Sequence, residues 1–389
     1  MGRRRFCRTW VACTQALAFA FLGAANLAAH AVDPPGDTAD TSLADVESIL
    51  QRWQTTASVR ASAGYRDNVA LSHAAPQPSG FARGAIEVGA IRAPLDGNQL
   101  LLLLTAEDTR YFRNVTPDHE DLITGNAEWR HLFRSPWEMS FAVEGVYLDQ
   151  VLDLSVTETN RVPLPLRGGL LTARPGVRYD FSDNLWMSLE VPINRQYFTK
   201  VLDDYSEVGP KVTLTWPYGY KSEMSLGYAF VYRPFDTEEE RALDSQPIPG
   251  THRETFQHEA AWIWKHHWDK EQHWLSSTKI GFRILRDGAS GYFDFDRVAI
   301  AEEIRCRFRR WEARAEVRFA SYHFDHQTLG PSSLVPRERR DLSFNLRGER
   351  VLARHVRVFA QYELDQTFSN LALDEYRVNT ISGGVAVEF

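Results

Sequence analysis

The sequence predicts an all-β chain, a transmembrane up-and-down antiparallel β-barrel of about 16 strands (range about 14–18). Three observations predict it. From residue 55 onward apolar and polar residues alternate, in segments about as long as the 9–11 residues a tilted strand needs to cross a bilayer. The connections between those segments alternate long and short. The chain also stops on "ISGGVAVEF", in which Ile381, Val385, Val387 and Phe389 share one side of an extended chain, so it reads as strand to its last residue.

The N-terminal part is of another kind. Residues 1–31 read as a signal peptide: a basic "MGRRRFCRTW", an apolar run, and "AHA" at Ala29–Ala31 fitting small-x-small cleavage. Its removal takes away Arg3, Arg4, Arg5 and Arg8 and no acid, so the formal charge falls from −7 to about −11. Nucleic acid is therefore not an expected partner. Cys7 and Cys13 leave as well, and Cys306 alone cannot form an internal disulfide. Residues 32–54 read as a periplasmic leader. Ser42 can cap a short helix with Leu43, Val46, Leu50 and Trp53 on one face, and a partly ordered leader is the equal alternative. The barrel then occupies 55–389.

The segments follow in order. Segment 55–65 leads through the polar "DNVALSHAAPQPSG" to 82–92, and the short "APLDGN" leads to 99–110. A longer connection precedes 122–133, "RSP" precedes 137–149, and a long stretch at 150–170 precedes 171–181. "SDN" leads to 185–197, a loop at 198–206 to 207–217, and "YGYK" to 222–234. A long loop at 235–253 leads to 254–268, and "DKEQH" to 274–286. The last five are 297–309, 311–324, 339–349, 355–367 and 376–389. Trp137, Met139, Phe141, Val143 and Tyr147 alternate with Glu138, Ser140, Ala142 and Glu144. Met224, Leu226, Tyr228, Phe230 and Tyr232 do so with Glu223, Ser225, Gly227 and Ala229. A soluble sandwich has no reason to alternate loop lengths so regularly.

A barrel of this width cannot fill its interior with side chains, so the apolar face must point outward and the polar face inward to water. Trp129, Trp137, Trp186, Trp216, Trp262, Trp264, Trp268, Trp274 and Trp311 cluster toward strand ends and short turns, as an interfacial girdle would. The inward face carries a basic patch, Arg305, Arg307, Arg309, Arg314 and Arg318, with Glu303, Glu312 and Glu316 beside it. A pore favouring anions and a salt-bridged wall that only keeps strands in register are both open readings. Asp153, Glu158 and Arg161, in the connection 150–170, are candidates to line a constriction; an exposed loop is the alternative.

Other motifs are weaker. His266, His267, His273 and Asp269 surround a short turn, but adjacent histidines on a strand point to opposite faces and chelate poorly, so no metal is expected. Ser321 and His323 share a face without an assignable orienting carboxylate, and no enzyme activity or cofactor is expected.

The stretch Gly64-Tyr65-Arg66-Asp67-Asn68-Val69 resembles the first barrel strand of outer-membrane barrels related to surface-lipoprotein assembly modulators. In those barrels the Asp-Asn pair sits where strand one enters its first outer loop. The spacing Ser382-x-Gly384-x-x-Val387-x-Phe389 resembles the C-terminal signal read by the outer-membrane insertion machinery. The whole barrel portion is similar in plan to Gram-negative porins. These resemblances imply an outer-membrane location, lipid and lipopolysaccharide as surroundings, and the insertion machinery as a partner. A homo-oligomer or a periplasmic partner is compatible with them. The expected function is passive or weakly selective passage of small solutes. A barrel subunit of a polysaccharide or lipoprotein export system, and a closed structural barrel, are the alternatives.

Overall fold

A computed structural model describes residues 53–95, 97–113, 115–133, 136–153, 164–199, 202–329 and 333–389. The signal peptide, the leader through residue 52, Glu158 and Arg161 lie outside these residues. The strands are β1 (Trp53–Arg66), β2 (Ser79–Leu95), β3 (Asn98–Tyr111), β4 (His119–Leu132), β5 (Trp137–Leu152) and β6 (Leu164–Ser182). Next come β7 (Leu185–Glu190 and Ile193–Phe198) and β8 (Tyr205–Val208 and Lys211–Tyr218), each in two pieces. Then follow β9 (Ser222–Pro234), β10 (Glu254–His267), β11 (Trp274–Asp287), β12 (Phe295–Phe308) and β13 (Trp311–Thr328). The last are β14 (Pro336–Ala353), β15 (Val356–Ser369) and β16 (Tyr376–Glu388).

The breaks in β7 and β8 have one cause. Pro192 and Pro210 cannot donate to the ladder. Pairing resumes in the same register beyond each: Lys211 opposes Glu190 on one side and Val208 opposes Ile193 on the other. Counted this way, sixteen antiparallel strands each pair with the next in sequence.

The ring closes where β1 meets β16, with Ser58 opposite Glu388 and Arg66 opposite Thr380. Ala57 and Phe389 exchange both backbone hydrogen bonds, so the last residue is tied into the ladder. Two glycines shape this seam. A Cβ on Gly384 would lie 2.3 Å from the Ala61 carbonyl and 2.9 Å from the Phe359 ring. One on Gly64 would lie 2.4 Å from the Ile381 carbonyl and 2.6 Å from the Phe81 ring. An inward aromatic of the neighbouring strand therefore lies over a glycine on each seam strand. This gives the glycine of the C-terminal pattern a physical reason: the seam closes too tightly for a side chain. Asp67 and Asn68 clamp the same seam above. Asp67 accepts from the backbone and side-chain N–H groups of Asn379, and Asn68 donates to the Arg377 carbonyl.

The outward face carries the apolar belt: Val59, Leu102, Leu104, Phe141, Leu226, Phe282, Ile300, Phe319, Ile381 and Val385 are all exposed. Large apolar side chains in such number around a closed ring are the surface of a protein surrounded by lipid, since closure leaves no unpaired backbone edge in hydrocarbon. No helix among the described residues is long and apolar enough to cross a membrane. Trp129, Trp137, Trp216, Trp262, Trp264, Trp274 and Trp311 fall on this outward register. Trp186 does not. It opposes inward Asp180 and lies under Arg178, whose guanidinium is 4.2 Å from the ring centroid.

Among the described residues, an ordinary packed core exists only at the extracellular end, where loops and strand tips meet. Leu285, Tyr292, Phe293, Phe295 and Phe324 form one cluster. Arg253 lies 3.6 Å over the Phe293 ring and donates to Glu238. Arg337 and Asp374 pair with no solvent exposure at all, and Arg337 also donates to Gln327.

Candidate functional site: the lumen and its constriction

Strand parity and register place every inward side chain. On β11–β15 they fall into rows of cross-strand neighbours. Leu275, Arg305, Arg314, Arg347 and Gln361 form one row. Above it, toward the extracellular end, lie Ser277, Glu303, Glu316, Asn345 and Glu363. Next come Lys279, Ala301, Arg318, Ser343 and Asp365, then Gly281, Ala299, Ala320, Asp341 and Thr367. The top row holds Arg283, Arg297, Tyr322, Arg339 and Ser369.

Charges of one sign thus stand side by side across strands. They are compensated mainly between adjacent rows. Arg314 donates to Glu303 at 2.8 Å and lies 3.7 Å from Glu316. Arg318 donates to Glu316 on its own strand, and Arg347 to Glu349. Arg307 pairs with Glu312 across the turn at 2.9 Å. Of the sequence-derived basic patch, Arg305, Arg307, Arg314 and Arg318 occupy the lumen register. Arg305 faces Arg314 directly and has no carboxylate within ion-pair distance among the described residues. Arg309 is not on the wall: it occupies the β12–β13 turn with φ 51° and packs over the Phe308 ring. A hairpin turn of two residues requires this left-handed backbone, which takes Arg309 out of the strand alternation. Glu303, Glu312 and Glu316 all sit on the inward register, engaged as described.

The end of β5 reaches over the lumen. Val151 packs with Leu71 of the first outer loop and with Val378 of β16. Asp153, just past β5, reaches Arg339 of β14, and Arg339 Nη2 donates to Asp153 Oδ2 at 2.7 Å. β5 and β14 stand almost opposite each other in the ring, so this contact bridges the lumen. The two side chains are 7% and 4% exposed. Arg339 also donates to Asp341 at 2.8 Å and to Thr367 at 3.3 Å. Beneath the bridge lies a cavity of about 510 Å³ bounded by Arg66, Leu71, Val151, Tyr322, Asp365 and Tyr376, among others. Arg339 escaped the sequence reading. Its odd parity with Asp341 on β14 was the available signal, but nothing local ties it to Asp153.

The weaker motifs are dispersed. His266 faces outward between Trp264 and Trp268 and stacks on Tyr218. His267 falls on the opposite face. His273 pairs with Asp269 at 2.8 Å, and Glu271 lies within metal-bridging distance of both. Asp269 is already engaged by the backbone N–H groups of His273 and Trp274. Ser321 and His323 both point outward, and no hydrogen bond joins them among the described residues.

No protein-family model and no curated protein matches the chain. Among solved structures it is similar in fold to OccAB1 of Acinetobacter baumannii, at 8% identity and TM-score 0.45, covering 87% of this chain and 97% of that one. OprB of Pseudomonas putida is similar at 8% identity and TM-score 0.49, covering 90% of this chain and 98% of that one. A BenF-like porin from Pseudomonas fluorescens Pf-5 is similar at 9% identity and TM-score 0.44, with coverage of 87% and 99%. At such identities the likeness concerns barrel architecture alone, which the chain's own strand pairing already establishes.

Proposed function

We propose that the protein is an outer-membrane channel of a Gram-negative bacterium that passes small solutes passively or with weak selectivity. The observation that carries this reading is the contrast between the two ends of the lumen wall. Below the Asp153–Arg339 bridge the inward faces of β10–β14 carry mostly ion-paired charge around a recess floored by short side chains; among the described residues, apolar packing inside the barrel is confined to the outer rim. A closed structural barrel would instead need side chains that fill its width along its whole length. The bridge acts as a constriction, and the row Arg305–Arg314–Arg347 is the selectivity element below it. The apolar belt, the closing seam and the barrel's likeness in plan to porins such as OprB support the location.

The test is planar-bilayer recording from the purified barrel. Discrete, stable conductance steps are expected. Their absence at protein densities that saturate the bilayer overturns the reading in favour of a closed barrel. Where steps are present, Arg305→Glu with Arg314→Glu should move the reversal potential in a salt gradient toward cation preference. An unchanged reversal potential removes the selectivity role of that row.

A further inference from the structure

We infer that the lumen wall on β11–β13 holds a binding subsite for a short-chain α,ω-dicarboxylate; this rests on the channel reading for its route of access, though not for binding itself. The site begins with a floor. Gly281, Ala299 and Ala320 are cross-strand neighbours on three successive strands, and Ala301 lies one row below. Their short side chains leave a recess of about 500 Å³ in a wall otherwise built of long charged residues. A floor of this kind takes hydrocarbon.

Charges bound the recess above and below. Most are already used. Glu259 accepts from Arg283 at 2.9 Å, Glu303 from Arg314, and Glu316 from Arg318. Asp341 accepts from Arg339 and Thr367 at the far edge, on β14. Arg339 is shared between Asp341 and Asp153, so one negative charge remains at that edge, beyond Ala320 and away from β11. Two cations have no carboxylate within ion-pair distance among the described residues: Arg297 in the row above the floor and Lys279 in the row below. Arg297 has only the Tyr322 ring beside it, at 5.5 Å, and its Nε is shielded from solvent without a hydrogen-bond acceptor. Arg297 also stands directly opposite Arg283, and this like-charged neighbour raises the local demand for an anion.

The spacing selects the ligand. Arg297 and Lys279 are four residues apart along the strands and one strand apart across them. Their Cα atoms are therefore about 14 Å apart, from a rise of about 3.3 Å per residue and a strand spacing of about 4.8 Å. Each side chain reaches several ångström inward over the floor, leaving room for two carboxylates joined by a few methylene groups. A monoanion meets only one of the two cations, and a diol meets neither as a charge.

Isothermal titration of the purified barrel in detergent, with adipate as the probe, tests this directly. Adipate should bind about tenfold or more tighter than hexanoate, and 1,6-hexanediol should show no heat of binding. Lys279→Gln and Arg297→Gln should each weaken adipate about tenfold while leaving hexanoate nearly unchanged in at least one of the two. Each variant should keep its heat-modifiable electrophoretic shift, which reports an intact barrel. Adipate binding no tighter than hexanoate, or undiminished in both folded variants, overturns the subsite. Bilayer recordings separate the two proposals. Adipate binding without conductance removes the channel and keeps the subsite, whereas conductance without adipate binding does the reverse.

Discussion

Cutting the bridge over the lumen should open the mouth of the barrel. Arg339→Gln removes the donor that holds Asp153 at 2.7 Å, and Asp153→Asn removes the charge that Arg339 holds. Both side chains are nearly inaccessible to solvent, at 4% and 7% exposed, so the contact belongs to the buried class. Breaking such a pair from one side costs ~3–5 kcal/mol. In Asp153→Asn the remaining Arg339 keeps Asp341 and Thr367 as partners, which places that variant at the low end, about 3 kcal/mol. At about 1.4 kcal/mol per factor of ten, the ratio of released to bridged β5 ends should rise by about two orders of magnitude. Single-channel recordings should show it as added upward steps and a higher mean conductance. The double variant should be little worse than Arg339→Gln, because both substitutions remove one contact. A readout independent of conduction is amide-exchange protection at Leu152 and Asp153, which should fall in both single variants. If step size, current noise and exchange rate all match the parent, the bridge does not hold the end of β5 over the lumen and the constriction is wrong.

Three further outcomes follow from other parts of the barrel. Gly384→Ala or Gly64→Ala forces a methyl group against a backbone carbonyl and an aromatic ring at the seam, so each should cost ~1–3 kcal/mol and slow assembly into vesicles, and assembly at the parental rate would refute the tight seam. Glu302 is an outward carboxylate with Ile300 and Ile304 on the same face of its strand and Val317 opposite; Thr278 Oγ1 donates to it at 2.5 Å. Glu302→Leu should therefore raise stability in lipid by ~1–2 kcal/mol, read as a higher urea midpoint, and a lower midpoint would put this residue outside the hydrocarbon. Asp269 accepts from the backbone N–H groups of Trp274 and His273, and these bonds hold its carboxyl below the ordinary carboxylate range. A lowered folded-state value means stability present at neutral pH and lost as acid protonates the group, so amide-exchange protection at His273 and Trp274 should fall on acidification. In Asp269→Asn that pH dependence should vanish.

The fold was legible because lipid outside and water inside impose opposite demands on alternate residues, and those demands repeat along every strand. The segments expected at 222–234 and 274–286 agree with β9 and β11 to within a residue. The expected 171–181 is too short for β6, which starts at Leu164, because above the membrane Pro165, Arg167 and Gly168 no longer alternate in polarity. Conditions there are aqueous on both faces, and the signal disappears with the contrast that makes it. The bridge over the lumen was not legible for a different reason. It joins Asp153 to a residue 186 positions away, and no local pattern encodes such a partner.

The charge rows fall between these cases. The two-residue turn after Phe308 fixes Arg305 opposite Arg314, so like charges side by side could be read from the chain alone. What stabilises them is also written locally. Arg318 has Glu316 two residues away on the same face, Arg347 has Glu349, Arg339 has Asp341 and Arg178 has Asp180, and each of these pairs forms. Arg283 and Lys265 lack such a neighbour and are met across the strand by Glu259 and Glu223. Arg297 and Lys279 have neither kind of partner. Their same-face neighbours are Phe295 and Ala299 for one, and Ser277 and Gly281 for the other. Most cations of the wall bring their own carboxylate; of the few among the described residues that do not, Arg305 stands in the lower row, whereas Arg297 and Lys279 both border the same apolar floor. Charge left uncompensated beside a recess is the arrangement expected of a place kept for an anion that arrives from outside.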